Sequence, residues 1–150
     1  MTFTKAKMVT MLSMLILFFS FCVLFSSPAN GQGPPSAYQV LQDYNLPAAL
    51  LPQGVVRHSL NRTNGQFLVD LPGVCYINAW GFKIKYNPTM TAVISQNLLS
   101  DVDGVRVKYI WFWAKIISVF RYGDMIELRG KLFAQWFSIN DFISSAQCNN

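Results

Sequence analysis

The feature that most constrains this fold is the apolar segment over residues 105–120, which reads VRVKYIWFWAKIISVF. It begins with an alternation of apolar and basic residues over 105–108, and it is wholly apolar over 110–114. This pattern indicates a strand that becomes covered on both faces, and the β-branched and aromatic content disfavours the competing helical interpretation. At about 3.3 Å per residue the segment would span roughly 53 Å, well beyond a typical strand. We therefore predict a bulge or corner near residues 113–115, or two consecutive strands bent around one core.

Short alternating segments separated by turn signals follow one another from residue 53 onward. Asn64-Gly65 is the strongest hairpin signal, because both residues tolerate positive φ. Further turns are predicted at 72–73, at 87–88, where one strand should end and another begin, and at 122–124. This spacing predicts an all-β fold, either a small antiparallel β-barrel or a sandwich. A closed barrel would remove the edges that so many apolar strands otherwise expose.

A short N-terminal helix precedes the strands. Ser36 is a good N-cap, and Gln39 three residues later completes a capping box. Pro47 should end the helix by Leu46 and open a second helical turn over residues 47–51. The leucines of this region are expected to plug one end of the sheet or barrel.

The first 31 residues have the pattern of a signal peptide. Lys5 and Lys7 form a basic region, residues 8–25 form an apolar one, and small residues up to Gly31 offer a cleavage site. An uncleaved signal anchor is the alternative, since about eighteen apolar residues nearly span a bilayer. We predict a secreted protein whose signal peptide is cleaved near Gly31.

The remaining chain has room for one domain. Residues 32–35 form a Gly/Pro linker, and residues 36–148 are predicted to form a single β-barrel domain. Cys22 leaves with the signal peptide, so Cys75 and Cys148 remain. Two cysteines in a secreted chain suggest one disulfide, which would tie the C-terminal tail to the middle of the domain.

Charge and metal-ligand patterns argue against several classes of function. The formal net charge is +5, and the basic residues are scattered along the chain, which disfavours nucleic-acid binding. Weak contact with anionic lipid or acidic polysaccharide is one interpretation of this charge, and a solubilising surface is the other. His58 is the single histidine, so no zinc set is predicted, and Asp101 and Asp103 lack the spacing of a calcium loop and are read as a solvated turn. No cofactor is predicted.

Four residues of the central segment are candidate ligand-binding residues. Lys115 could lie at the mouth of an apolar pocket and meet a carboxylate or phosphate, or it could reach water or pair with Glu127. Trp111, Trp113 and Phe120 could line such a pocket, although a small barrel fills its interior with such side chains in any case.

One sequence in the chain fits a glycosylation acceptor. Asn61-Arg62-Thr63 has the Asn-x-Thr pattern and lies where a strand meets the Asn64-Gly65 turn. A hairpin tip in a secreted chain is exposed, so we predict a glycan on Asn61.

The chain resembles a plant family known as domain of unknown function 538, over about residues 36–148. The motifs that carry the resemblance are Leu46-Pro47, Leu50-Leu51-Pro52-Gln53-Gly54-Val55, Gly73-Val74-Cys75, Gly81-Phe82-Lys83-Ile84-Lys85-Tyr86 and Trp111-Phe112-Trp113. The resemblance implies a small antiparallel β-barrel with a short N-terminal helix. It also implies a likeness to lipid-binding proteins of the bactericidal/permeability-increasing type, or an esterase-like activity on chlorophyll. It supplies no catalytic residues.

Three hypotheses of function follow from these patterns. The first is a secreted, non-enzymatic protein that binds an apolar or amphipathic small molecule or a membrane lipid. The second is an ester hydrolase, which would need a serine near His58 with Asp43 or Asp70 behind it; there is no Gly-x-Ser-x-Gly elbow in the chain. The third is a cell-wall or protein interaction module with an exposed aromatic strip.

Overall fold

The computed structural model describes residues 33–149, and eight antiparallel strands make up just over half of these residues. In chain order the strands are β1 (Arg57–Leu60), β2 (Gln66–Asp70), β3 (Cys75–Ala79), β4 (Phe82–Ser95), β5 (Leu98–Tyr109), β6 (Phe112–Tyr122), β7 (Met125–Gly130) and β8 (Ala134–Ser138). The helical elements are α1 (Ala37–Asp43) and two 3₁₀ turns, Ala48–Leu50 and Ile139–Asp141. The predicted signal peptide over residues 1–31 lies outside the described residues.

The strands form one sheet in the order β1-β2-β4-β5-β6-β7-β8. The first half of β4 pairs with β3 and its second half with β2, and its other side pairs with β5. With 14 residues, β4 is the longest of the described strands. The predicted all-β antiparallel class and the short N-terminal helix are confirmed. The sheet is not closed into a barrel, because β1, β3 and β8 each pair with a single strand and remain edges.

The central segment forms two strands, β5 and β6, as one of our two interpretations predicted. The predicted position of the corner, near residues 113–115, is wrong, because the chain reverses at Ile110-Trp111. Tyr109 pairs directly with Phe112, so the turn contains only these two residues. Neither belongs to the residue types that normally mark such a turn, which is why the sequence pattern misplaces it.

The predicted break at residues 87–88 is also wrong, because β4 continues through it. Pro88 lies where the pairing with β3 ends and the pairing with β2 begins, so its missing N–H removes no ladder bond. The Pro88 carbonyl still accepts a hydrogen bond from the N–H of Leu71 at 2.7 Å. A register shift between Tyr86 and Thr91 bends the strand at this position.

The N-terminal helix covers one face of the sheet. Its capping box is present as predicted: the N–H of Gln39 donates to the Ser36 hydroxyl, and the N–H of Ser36 donates to the Gln39 side chain. The helix ends at Asp43, three residues before the predicted limit. The core is formed by the buried face of this helix, by the leucines that follow it, and by the inward side chains of the strands.

The C-terminal tail ties this helical region to β3. Cys148 is bonded to Cys75 with their Cα atoms 5.1 Å apart, so the predicted disulfide is present. The Gln53 N–H donates to the Ala146 carbonyl at 2.8 Å, and the Ser145 hydroxyl donates to the Ala48 carbonyl at 3.3 Å. Within the described part of the chain, no helix has the length and apolar character needed to span a membrane.

Candidate functional site

Three turns meet at one end of the sheet. The β3–β4 turn at Trp80-Gly81 and the β5–β6 turn at Ile110-Trp111 lie side by side, because Ile84 on β4 pairs with Val107 on β5. The β7–β8 loop reaches the same region, since the Phe133 ring stacks on the Tyr109 ring at 5.8 Å. We call the surface formed by residues 80–82, 109–113 and 131–133 the aromatic end.

The aromatic end exposes large apolar side chains. Trp111 is 81% exposed, Ile110 is 67% exposed, and Leu132 in the neighbouring loop is 81% exposed. Single exposed apolar residues are ordinary, but three large ones on adjacent turns form a patch of the kind that marks an interaction site.

The β5–β6 turn is also strained. Ile110 has φ +59°, in the left-handed region that β-branched residues rarely adopt. Two-residue hairpin turns favour Asn-Gly or Asp-Gly because those residues enter this region at low cost. Strain of this kind costs on the order of 1–3 kcal/mol and is concentrated at functional positions. The chain therefore holds Ile110 and Trp111 outward at the expense of folding stability.

Five cations lie next to the aromatic end on the face of the sheet opposite the core. We call this set the basic face; its members are Lys83 and Lys85 on β4, Arg106 and Lys108 on β5, and Lys115 on β6. Lys85 is the direct partner of Arg106, and Arg106 is the direct partner of Lys115. Like charges in directly opposed positions destabilise a sheet. The arrangement therefore also carries a cost for folding.

Two aromatic rings and one acid accompany the basic face. The rings of Tyr76 and Trp113 lie 6.1 Å apart, and the Lys83 and Lys85 ammonium groups lie 5.4 Å and 5.9 Å from the centre of the Tyr76 ring. An ion pair on this face joins Lys115 to Asp103 at 2.5 Å. The hydrogen bond and positive charge of Lys115 lower the pKa of the Asp103 carboxyl. One carboxylate thus faces five cations.

The interior of the domain holds a small apolar cavity between the helical region and the sheet. Its volume is about 60 Å³, and its lining includes Leu41, Leu50, Met90, Val102 and Ile116. Apolar cavities that admit benzene are about 150 Å³. The space is too small for a lipid chain, so the exposed surfaces are better placed than the interior to bind one.

The structure separates the four candidate ligand-binding residues. Trp111 lies in the β5–β6 turn, and Trp113 and Lys115 follow it in the first residues of β6, at the aromatic end and beside it. Phe120 lies near the other end of the strand, opposite Leu98, and is 37% exposed. None of the four lines the interior cavity. Their role in binding a ligand stays a prediction.

The alternative partner suggested for Lys115 is wrong. Glu127 pairs with Arg129 at 2.6 Å, and Lys115 pairs with Asp103 instead. The sequence pattern gave the two residues opposite charges on neighbouring strands, but the register sets Glu127 opposite Phe120 and not opposite Lys115.

His58 is committed to a structural contact. Its Nε2 donates to the Pro35 carbonyl at 2.8 Å and thereby joins β1 to the chain before α1. Asp70, one of the two acids considered as its partner, is bound elsewhere: hydrogen bonds from the Thr89 hydroxyl at 2.7 Å and from Arg57 at 2.8 Å lower its pKa. The hydrogen bonds of residues 33–149 contain no serine–histidine pair that could act as nucleophile and base.

The candidate metal and glycan positions lie farther from the aromatic end. Asp101 and Asp103 lie inside β5, where Asp101 has φ +49°, and not in the solvated turn that the sequence indicated. Within residues 33–149, no group of three or more His, Cys, Asp or Glu side chains could hold a metal ion. Asn61 lies exposed in the β1–β2 turn, at the end of the sheet opposite the aromatic end. Its glycosylation stays a prediction.

Comparisons with known proteins place the sequence among proteins without an assigned activity. A family model described as "Protein of unknown function, DUF538" matches residues 37–143. An uncharacterized protein of Arabidopsis thaliana is 25% identical over 85 residues, which cover 54% of this chain and 48% of that protein. The chain thus spans about half the length of this curated relative. No solved structure matches.

Proposed function

We propose that this chain, which belongs to the DUF538 family of proteins of unknown function, attaches peripherally to a lipid membrane by its aromatic end. The observation that carries the proposal is the strained β5–β6 turn, which holds Ile110 and Trp111 in water. Within our first hypothesis, this observation supports the membrane lipid over a small molecule held inside the domain.

The chemistry of the aromatic end suits the boundary between water and lipid. Tryptophan and tyrosine concentrate at this boundary, because one part of each ring system is apolar and the other part forms hydrogen bonds. Ile110 and Leu132 add aliphatic surface that gains free energy on leaving water. The cations behind the turns are attracted to the negative surface of anionic membranes. The apolar groups lie at the turns and the cations lie farther along the strands, which is the order in which a membrane presents its hydrocarbon and its headgroups.

The opposite end of the sheet holds Arg62 and Arg121, but neither of them lies directly opposite another cation. Tyr122 is exposed there at the β6–β7 turn, but Asp124 adjoins it, and a negative charge is unfavourable at an anionic surface. The candidate glycan acceptor Asn61 belongs to this end too. A glycan at Asn61 would keep this end in water while the aromatic end faces the lipid.

We also infer that the protein enters the secretory pathway. The disulfide between Cys75 and Cys148 supports this inference, because structural disulfides persist mainly in oxidising compartments. The apolar N-terminal segment ending near Gly31 supports it independently. The attached leaflet would then be one that faces the secretory lumen or the cell exterior, so the proposal requires anionic lipid in that leaflet and not only in the cytoplasmic one.

Vesicle co-sedimentation of the secreted protein tests the proposal. The test variant combines Ile110→Asn with Trp111→Gly, which removes the apolar tip and installs a favoured turn sequence. We expect this variant to lose most of its vesicle binding while its Tm stays equal or rises, because the strain at position 110 is relieved. Tyr122→Ser is the matched control, since Tyr122 is 73% exposed at the opposite end, and it should bind as the wild type does. Equal vesicle binding by the turn variant and the wild type would show that the proposal is wrong.

A further inference from the structure

We infer that the basic face is a binding site for the negatively charged headgroups of anionic phospholipids, an inference that rests on the proposed attachment to membranes. The arrangement of these cations lowers the stability of the sheet. Lys85, Arg106 and Lys115 occupy directly opposed positions on three adjacent strands, where their charges repel one another. Asp103 forms an ion pair with Lys115 at one edge of the row, and the charge of Arg106 also acts on it. A set of cations with this imbalance is best explained by an anion that binds among them.

Lys83 and Lys108 extend this row toward the aromatic end. Each lies two residues nearer to the turns than Lys85 and Arg106 and, by the alternation of side chains, on the same face. All five cations therefore form one surface. It covers three adjacent strands and up to two successive outward-facing positions on each strand. Several headgroups, and not a single small anion, fit a surface of this extent.

The aromatic rings beside these cations also suit a headgroup layer. Trp113 is the direct partner of Lys108, and its ring meets that of Tyr76 over the cations of β4. The contacts of Lys83 and Lys85 with the Tyr76 ring restrict where these ammonium groups lie. The cations are thus held near the sheet, in contrast to lysines that extend freely into water.

The distances along the strands agree with the thickness of a headgroup layer. Lys83 and Lys108 lie two residues from their turns, or about 7 Å, and Lys85 and Arg106 lie four residues away, or about 13 Å. A bilayer of about 40–45 Å with a hydrocarbon core of about 30 Å has headgroup layers of roughly 5–8 Å on each side. With Ile110 at the boundary of the hydrocarbon, Lys108 lies within the headgroup layer, while the backbone of Arg106 lies about 5 Å beyond it, a distance that the long arginine side chain can span.

An acidic polysaccharide is the main alternative occupant. It would satisfy the same cations, but it would leave the apolar tip beside them unexplained. The phospholipid accounts for both features with one ligand, since its phosphate meets the cations and its apolar part meets Ile110 and Trp111. The structure therefore favours the lipid, and the test includes the polysaccharide as a separate arm.

The test compares vesicles of phosphatidylcholine alone with vesicles that also contain phosphatidylserine. We expect the wild type to bind both and to bind the phosphatidylserine vesicles more tightly, with a difference that shrinks as salt is added. Lys108→Gln should weaken binding to the phosphatidylserine vesicles about fivefold and leave binding to pure phosphatidylcholine unchanged, as expected for one cation at an anionic surface. Arg62→Gln is the matched control, because it removes one charge from the opposite end of the sheet, and it should have no comparable effect.

A double variant separates a binding role from a structural one. Lys85→Gln combined with Arg106→Gln removes two opposed like charges, so its Tm should stay equal or rise while it loses its preference for phosphatidylserine. A fall in Tm together with an unchanged preference would give these cations a structural role and overturn the inference.

The remaining outcomes distinguish the two claims. Equal binding of the wild type to both kinds of vesicle, abolished by Ile110→Asn with Trp111→Gly, would overturn the site for anionic headgroups and leave the membrane attachment standing. Absence of binding to either kind would overturn both. Binding to polygalacturonate that Lys108→Gln weakens, without binding to vesicles, would assign the basic face to an acidic polysaccharide.

Discussion

Reduction of the disulfide between Cys75 and Cys148 should destabilise the whole domain. The bond closes a loop with a sequence separation of 73 residues, and the tail that it fixes also bonds to the helical region through Ala146 and Ser145. The chain-entropy relation gives about 4 kcal/mol for a loop of this length. For a domain of somewhat over 100 residues, the unfolding entropy of about 2.1 cal/mol/K per residue converts this to a fall in Tm of about 15 °C.

The assay is calorimetry of the secreted protein with and without a thiol reductant. The variant Cys75→Ala with Cys148→Ala is the control, since its Tm should already be low and should not respond to the reductant. A count of free thiols in the folded, unreduced protein should give none for these two residues. The reasoning is refuted if reduction leaves the Tm unchanged, or if both thiols are found free in the folded secreted protein.

Three further predictions concern single residues. Burial raises the pKa of Tyr86 far above its ordinary value, and its hydroxyl donates to the Leu50 carbonyl at 3.0 Å. Tyr86→Phe should therefore lower the free energy of unfolding by about 1–2 kcal/mol in urea titrations, and an unchanged value would refute the role of this bond. The folded pKa of Asp70 lies below its unfolded value of 3.8, so its contribution to the free energy of unfolding is present above pH 3.8 and is lost as the pH falls through the folded pKa. Denaturation at several pH values should show a smaller acid-induced loss of stability for Asp70→Asn than for the wild type, and equal losses would contradict this prediction. Glycosidase treatment of the protein secreted from plant cells should increase its gel mobility, and an unmodified Asn61 peptide in mass spectrometry would show that the acceptor is unused.

Local signals in the sequence predicted the local structure well. The Ser36 capping box, the two-cysteine disulfide and the alternation within the strands each depend on neighbouring residues or on residue type, and the structure contains all three. The resemblance to domain of unknown function 538, based on Leu-Leu-Pro-x-Gly and the later aromatic motifs, is confirmed by the family match over residues 37–143.

Two strand boundaries escaped the sequence because tertiary pairing overrides local preference. Ile110 occupies a turn position that its side chain disfavours, so no turn signal marks it. Pro88 lies inside a strand at the one place where the change of pairing partner makes its missing N–H harmless. Whether the sheet closes depends on whether its edge strands pair with one another, and no local pattern encodes that pairing.

The basic face could not be seen in the sequence for a related reason. Its five cations are spread over residues 83–115, and the modest net charge of the chain gave no sign of a cluster. Only the register of β4, β5 and β6 brings Lys85, Arg106 and Lys115 into adjacent positions. The exposed tip was missed because Trp111 was interpreted as part of an apolar strand or pocket lining, and exposure of such a residue follows from the position of the turn.

The most direct test of membrane attachment is the depth of Trp111 in a bilayer, measured by quenching of tryptophan fluorescence with brominated phospholipids. In vesicles that contain phosphatidylserine, the wild type and Trp136→Phe should show a blue shift and strong quenching. Trp111→Phe, which keeps an aromatic ring at the tip but removes the indole, should bind the vesicles and lose most of both signals. Wild-type fluorescence that is unchanged by the vesicles, or quenching that persists in full in Trp111→Phe, would contradict the proposed attachment through the β5–β6 turn.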